Sequence, residues 1–161
     1  MRNAVLAAGL CSLVLARPVA AETAAAPGHI ALAPSEIKWG PPPPVFEKGA
    51  SFAVLSGDPT KEGPYVVRLK MPAGYKIAPH WHPTDEHVTV ISGLVAFGMG
   101  DKIEKAATKP LGPGGYGLMP ATVHHYAVAK NASVVQVHGV GPFALTYVNP
   151  ADDPSTRAPA K

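Results

Sequence analysis

Between residues 45 and 148 the chain is a series of short apolar runs, each ended by glycine, proline, asparagine or aspartate. Apolar alternation with a period of two, bounded by turn residues, is the pattern of half-buried strands. It predicts strands over 52–55, 65–71, 77–82, 86–91, 94–99, 116–119, 125–128, 133–138 and 143–148. Ser92-Gly93 and Lys130-Asn131 read as hairpin breaks, and Gly57-Asp58-Pro59 with Gly112, Gly114 and Gly115 as longer turns. Only 102–105 suggests a helical turn. Many short, evenly spaced strands predict an all-β sandwich or barrel. Within it Phe97, Met99, Tyr116 and Met119 read as core. On 65–70 the set Val66, Arg68 and Lys70 opposes Tyr65, Val67 and Leu69, and the charged set reads as solvated. The late strand is ambiguous: Val135 and Val137 share one face, while Val134, Gln136 and His138 share the other.

The flanks read differently. Residues 1–21 combine a positive start at Arg2, an apolar run, Arg17-Pro18 and the small residues Val19-Ala20-Ala21, the layout of a secretory signal peptide. The run is short against the roughly 20 apolar residues that span a bilayer. Export to the periplasm or outside the cell is the expectation, with no membrane association after cleavage. Residues 22–44, rich in alanine and proline and ending in Pro41-Pro42-Pro43-Pro44, form an extended arm. It is either a disordered leader or, given Ile37 and Trp39, a segment that pairs with a second subunit in a homodimer. Residues 45–150 are the domain, and 151–161 read as a loose tail.

Composition narrows the function classes. The 161 residues suit one domain. Formal net charge is +3, but loss of Arg2 and Arg17 with the leader brings 14 basic residues to 12 against 11 acidic. A nearly neutral domain carries no electrostatic case for nucleic acid or an anionic membrane as partner. The single cysteine, Cys11, leaves with the leader, so no disulfide staples the domain.

The chemistry concentrates in Gly74-x5-His80-x-His82-x3-Glu86-x6-Gly93. Residues i and i+2 of a strand face the same way, so His80 and His82 offer two imidazoles to one ion. Glu86 follows a turn at Pro83-Thr84-Asp85 and brings a hard oxygen. A second set, Gly114-x5-Pro120-x4-His125, follows after more strand and loop. His124 and His125 compete there, because strand neighbours face opposite ways. Nitrogen-rich donors mixed with one carboxylate suit a divalent transition metal (Fe, Mn, Ni, Cu, Co or Zn) and not a dedicated calcium or magnesium site. His87, next to Glu86, should point away from the metal. No Ser/His/Asp spacing, phosphate-cradling glycine loop or CxxC is present.

The first segment resembles the first cupin motif, G-x5-H-x-H-x3-E-x6-G, at every specified position. The second resembles G-x5-P-x-G-x2-H-x3-N, with Gly114, Pro120 and His125 in place. Thr122 stands where glycine is usual, and Ala129 where asparagine is usual. The resemblance implies a double-stranded β-helix (jelly-roll) barrel holding a metal on His80, His82, Glu86 and His125. The expectation is a metal-dependent enzyme acting on a small-molecule substrate, an oxygenase first, with isomerase, lyase or hydrolase chemistry open to the same site. In it Glu86 tunes the ion and exchanges protons, while Gln136 and His138 position the substrate. The rival expectation is a non-catalytic module that binds or senses a metal or small ligand.

Overall fold

The computed structural model describes residues 28–157. The predicted leader, the start of the arm and the last four residues lie outside them. Among the described residues, ten strands form two antiparallel five-stranded sheets. They are β1 (Ser51–Ser56), β2 (Gly63–Met71), β3 (Lys76–Trp81), β4 (Glu86–Ser92), β5 (Val95–Met99), β6 (Lys109–Leu111), β7 (Tyr116–Met119), β8 (His125–Ala129), β9 (Ser133–Gly141) and β10 (Thr146–Tyr147). One sheet runs β1-β2-β9-β4-β7 and the other β10-β3-β8-β5-β6. Apart from the pairs β1–β2 and β5–β6, successive strands alternate between the sheets, the arrangement of a jelly roll. Among the described residues no helix is long and apolar enough to cross a membrane.

The core is the set of inward positions that the period of two selects. Tyr65, Val67, Leu69 and Met71 of β2 face in, as do Val88 and Val90 of β4 and Val135 and Val137 of β9, all buried. The register Val67↔Val137↔Val88 places them in one layer across three strands. The expected hairpin breaks at Ser92-Gly93 and Lys130-Asn131 are instead crossings between the sheets, β4 to β5 and β8 to β9. Gly93 turns the first at φ 83°, and a Cβ there would overlap the Ser133 side chain and the Ala132 carbonyl. Only glycine meets both demands.

Several expectations change. β6 was not predicted, because Lys109-Pro110-Leu111 carries a proline and a charge; it survives as a short edge strand, where proline is tolerated. The expected strand over 143–148 shrinks to β10, since 143–145 turn inward as a loop. The helical turn falls at Lys105–Ala107, later than predicted. Met119 is buried, but Met99 and Tyr116 are 52% and 53% exposed. Met99 ends its strand, and Tyr116 lies on the outer face of an edge strand.

The arm packs on its own barrel. Gly40 bridges Phe52, Ile37 is buried, and the Lys70 ammonium lies 4.3 Å from the centroid of the Trp39 ring, a cation–π contact. Two phenols then pin the strap that follows the prolines: Tyr147 donates to the Val45 carbonyl at 2.7 Å, and Tyr75 to the Glu47 carbonyl at 2.6 Å. Burial pushes both phenols up, Tyr75 to about 12, so both stay protonated donors. Phe46, between the two pinned carbonyls, is driven into the barrel. The expected loose tail is docked as far as Arg157, through two 3-10 turns and a bond from Arg157 to Glu47.

Candidate metal centre

Three of the four predicted ligands come from one sheet and the fourth from the other. His80 lies on β3, His82 just beyond it, and His125 opens β8 directly opposite His80 in the ladder. Glu86 opens β4 in the facing sheet. One ligand atom from each of His80, His82, Glu86 and His125 falls in a group whose members all lie within 4.8 Å of one another. His125 is the buried member of the 124/125 pair; His124 faces outward and bonds Asp101 at 2.6 Å.

Backbone carbonyls fix the imidazoles. Nδ1 of His80 meets the Ala78 carbonyl at 2.7 Å, Nδ1 of His82 the Ala144 carbonyl at 2.7 Å, and Nδ1 of His125 the Val123 carbonyl at 2.9 Å. A carbonyl only accepts, so each Nδ1 carries the proton and the neutral ring keeps its lone pair on Nε2. Such outer bonds are what metal-binding histidines use to lock tautomer and orientation.

The inner nitrogens are unpaired. Nε2 of His82 and of His125 is fully buried with no hydrogen-bond partner. Each stands 3.6 and 3.4 Å from Oε2 of Glu86, an ion-pair distance without hydrogen-bond alignment. Neighbouring donors bound to one ion at about 2.1 Å are roughly 3.0 Å apart at octahedral and roughly 3.4 Å apart at tetrahedral angles, so these spacings lie at or slightly beyond what a shared ion requires. Buried polar atoms without partners are costly; an ion at the centre would satisfy them. The donor set fits a divalent transition metal.

The electrostatics agree. Burial, then the neighbouring His125 and His82, pushes the His80 imidazole down to about 3, so it is neutral and ready to ligate. Burial alone would raise Glu86, but His125 and His82 hold the carboxyl well below its usual range, as an anion. His82 is the exception: burial opposes its charge, but Glu86 beside it more than offsets this and raises its pKa, so an ion must compete with a proton for its Nε2.

Gln136 and His138 are not part of this group, which corrects their expected substrate-positioning role. Val135 and Val137 take the inward face of β9, so Gln136 and His138 face outward. Gln136 accepts from Nε of Arg68 at 3.1 Å, and His138 stacks on His87 at 4.7 Å between ring centroids. His87 also meets the Tyr116 hydroxyl at 2.6 Å, pointing away from the cluster as expected. The sequence reading missed what does line the inner space. Phe46, Phe52, Phe97 and Phe143 stand with aliphatic side chains around a cavity that His80, Glu86 and His125 border. Phe143 lies 5.2 Å from the His82 ring and stacks on Phe46 at 6.3 Å. Of these, Phe97 was expected in the core and Phe52 on a strand; Phe46 and Phe143, near prolines, carried no signal that they enter the barrel.

A jelly-roll barrel with three histidines and a glutamate converging inside it defines a cupin. The chain belongs to the ChrR cupin-like family, whose model matches residues 27–144. Among curated proteins none matches it in sequence. Solved structures share the fold. The polyketide cyclase RemF from Streptomyces resistomycificus is 16% identical at a TM-score of 0.63, over 78% of this chain and 89% of that one. An acetylacetone dioxygenase from Acinetobacter johnsonii is 15% identical at 0.59, over 85% and 88%. The DMSP lyase DddQ from Ruegeria pomeroyi is 20% identical at 0.57, over 72% and 63%. At these identities the likeness speaks for the fold.

Proposed function

We propose that the chain is a metal-dependent enzyme acting on a small molecule at the His80, His82, Glu86, His125 centre, with an oxygenase reaction as the leading form. One observation carries this reading: two buried, unpartnered imidazole nitrogens and an anionic carboxylate face one point beside an internal cavity. A bound divalent transition metal would supply Lewis-acid or redox chemistry there. The chain's own contribution is orientation. Three carbonyls hold the imidazoles in their ligating tautomer, and Glu86 offers an oxygen that can also take a proton. The apolar wall offers water no side-chain hydrogen-bond partner around them. The dioxygenase, cyclase and lyase among proteins of this fold make each of those reaction types compatible. The leader read over residues 1–21 supports export, with the activity in the periplasm or outside the cell.

A second reading, a non-catalytic module that binds or senses a metal or small ligand, has an observation of its own. Among the described residues, no titratable side chain beyond His80, Glu86 and His125 borders the cavity, so proton transfer would fall to Glu86 alone. Elemental analysis of protein from its native compartment should find one transition metal per chain. His80→Ala combined with His82→Ala should abolish it; an ion retained by that variant refutes the ligand assignment. Oxygen uptake with phenols, diketones and small acids then separates the two readings, since a binding module turns over none of them.

A further inference from the structure

The cavity wall is more apolar than a metal centre requires. Both sheets contribute aliphatic side chains to it, and four phenylalanines complete it. Its polar side chains are His80, Glu86 and His125; among the described residues no lysine, arginine, hydroxyl or amide side chain borders it. An occupant held at the cluster therefore meets polar partners at one end and hydrocarbon everywhere else. Each hydroxyl, amide or charge placed against that hydrocarbon goes unpaired, which weakens binding by roughly fivefold to a hundredfold.

The size of the cavity sets a second limit. The space open to the centres of water-sized molecules is about 40 Å³, and one water needs on the order of 10–15 Å³ by that measure. The room is for roughly three heavy atoms beyond the metal-binding group. Phe46, Phe143 and Leu145 reach the wall from outside the strands, and Phe46 does so from the strap pinned by Tyr147 and Tyr75.

Resting on the metal-centre reading above, we infer that the ligand class is a small amphiphile. It has one oxygen-donor head that reaches the centre and a short hydrocarbon end without charge or hydroxyl. Sugars, polyols, amino acids and dicarboxylic acids are rejected by the same wall. Phe46 and Ala127, both on the wall, set the room left for the hydrocarbon end.

Straight-chain hydroxamates test this, because the head stays constant while the tail grows. Protein loaded with nickel(II), its metal content measured before and after, is titrated calorimetrically with aceto-, propiono-, butyro- and hexanohydroxamate. Affinity should rise about fourfold per added methylene over the first members, then level off or fall. N-hydroxyurea, which replaces the methyl of acetohydroxamate with an amino group, should bind at least fivefold more weakly. Phe46→Leu should move the break to longer tails and Ala127→Val to shorter ones; should the first not fold, the second decides. With one nickel per chain, absent binding, a flat series, or hydroxyurea equal to acetohydroxamate overturns this ligand class and leaves the metal centre standing. Protein that takes up no metal overturns both.

Discussion

Thr122 carries strain that a single substitution should release. Its φ is 64°, in the left-handed region where a β-branched side chain crowds its own backbone. The turn it occupies matters to the site. Its N–H donates to the His82 carbonyl at 2.8 Å, and Val123 N–H donates to the Pro120 carbonyl at 3.1 Å, just before His125. The side chain is exposed and its hydroxyl bonds only the adjacent Ala121 carbonyl, so removing it forfeits little packing. Relief of a left-handed L-residue is worth about 1–2 kcal/mol. The greater freedom of glycine in the unfolded chain returns roughly 0.4–1 kcal/mol of that. Thr122→Gly should therefore stabilise the fold by about 0.5–1 kcal/mol. Thr122→Ala keeps the Cβ and most of the strain, and serves as the control. Urea unfolding followed by the fluorescence of Trp39 and Trp81 should show a raised midpoint at unchanged slope for glycine, and little change for alanine. Equal midpoints for wild type and glycine, or a lower one for glycine, would refute the claim that this backbone is strained.

Two further outcomes follow from named contacts. Tyr147→Phe and Tyr75→Phe each remove a hydrogen bond to the strap that carries Phe46. Each should cost about 1 kcal/mol in urea unfolding and speed protease cleavage near residues 41–50; unchanged cleavage in both variants would mean the phenols do not hold the strap. Asp58 accepts from the N–H and hydroxyl of Thr60 and pairs with Lys61, which hold its carboxyl down at about 2 from 3.8. A depressed carboxyl stabilises the fold above its unfolded pKa and loses that contribution as pH falls. Asp58→Ala should thus be the less stable protein at pH 5 and converge on wild type as pH drops toward 2; a gap that persists in acid would refute the assignment.

The strands and the ligand set were legible in the sequence because both are local. A period of two needs only neighbours, and His80, His82 and Glu86 lie within one turn of each other along the chain. His125 was legible through its spacing from Pro120. The departure at Thr122 was legible too, and the positive φ gives its physical reason. What escaped reading was long-range. Val134 and Val140 sit on the same face of β9 as Gln136 and His138, so both faces carry apolar residues and alternation alone could not orient the strand. Val135 and Val137 win the inward face because their ladder partners are Val67, Leu69, Val88 and Val90. The phenylalanine wall escaped for a similar reason. Phe143 lies in a loop that has no periodicity, and Phe46 enters the barrel because Tyr147, 102 residues from Val45, pins the strap.

The loop at 142–145 links the metal-binding chemistry to the shape of the cavity. His80 and His125 take their orienting carbonyls from two residues earlier in the chain, Ala78 within β3 and Val123 in the turn before β8. His82 lies past the end of β3 and has no such local partner; its carbonyl comes from Ala144, 62 residues away. The residue before Ala144 is Phe143, whose ring borders the cavity, packs against His82 and stacks on Phe46. One segment thus sets the tautomer of a ligand and part of the hydrocarbon wall at once. A shift of that loop to admit a larger occupant would also move the Ala144 carbonyl and loosen His82. Ligand size and ligation strength are therefore coupled through a single backbone contact, which distinguishes His82 from the two strand-held histidines that share its role.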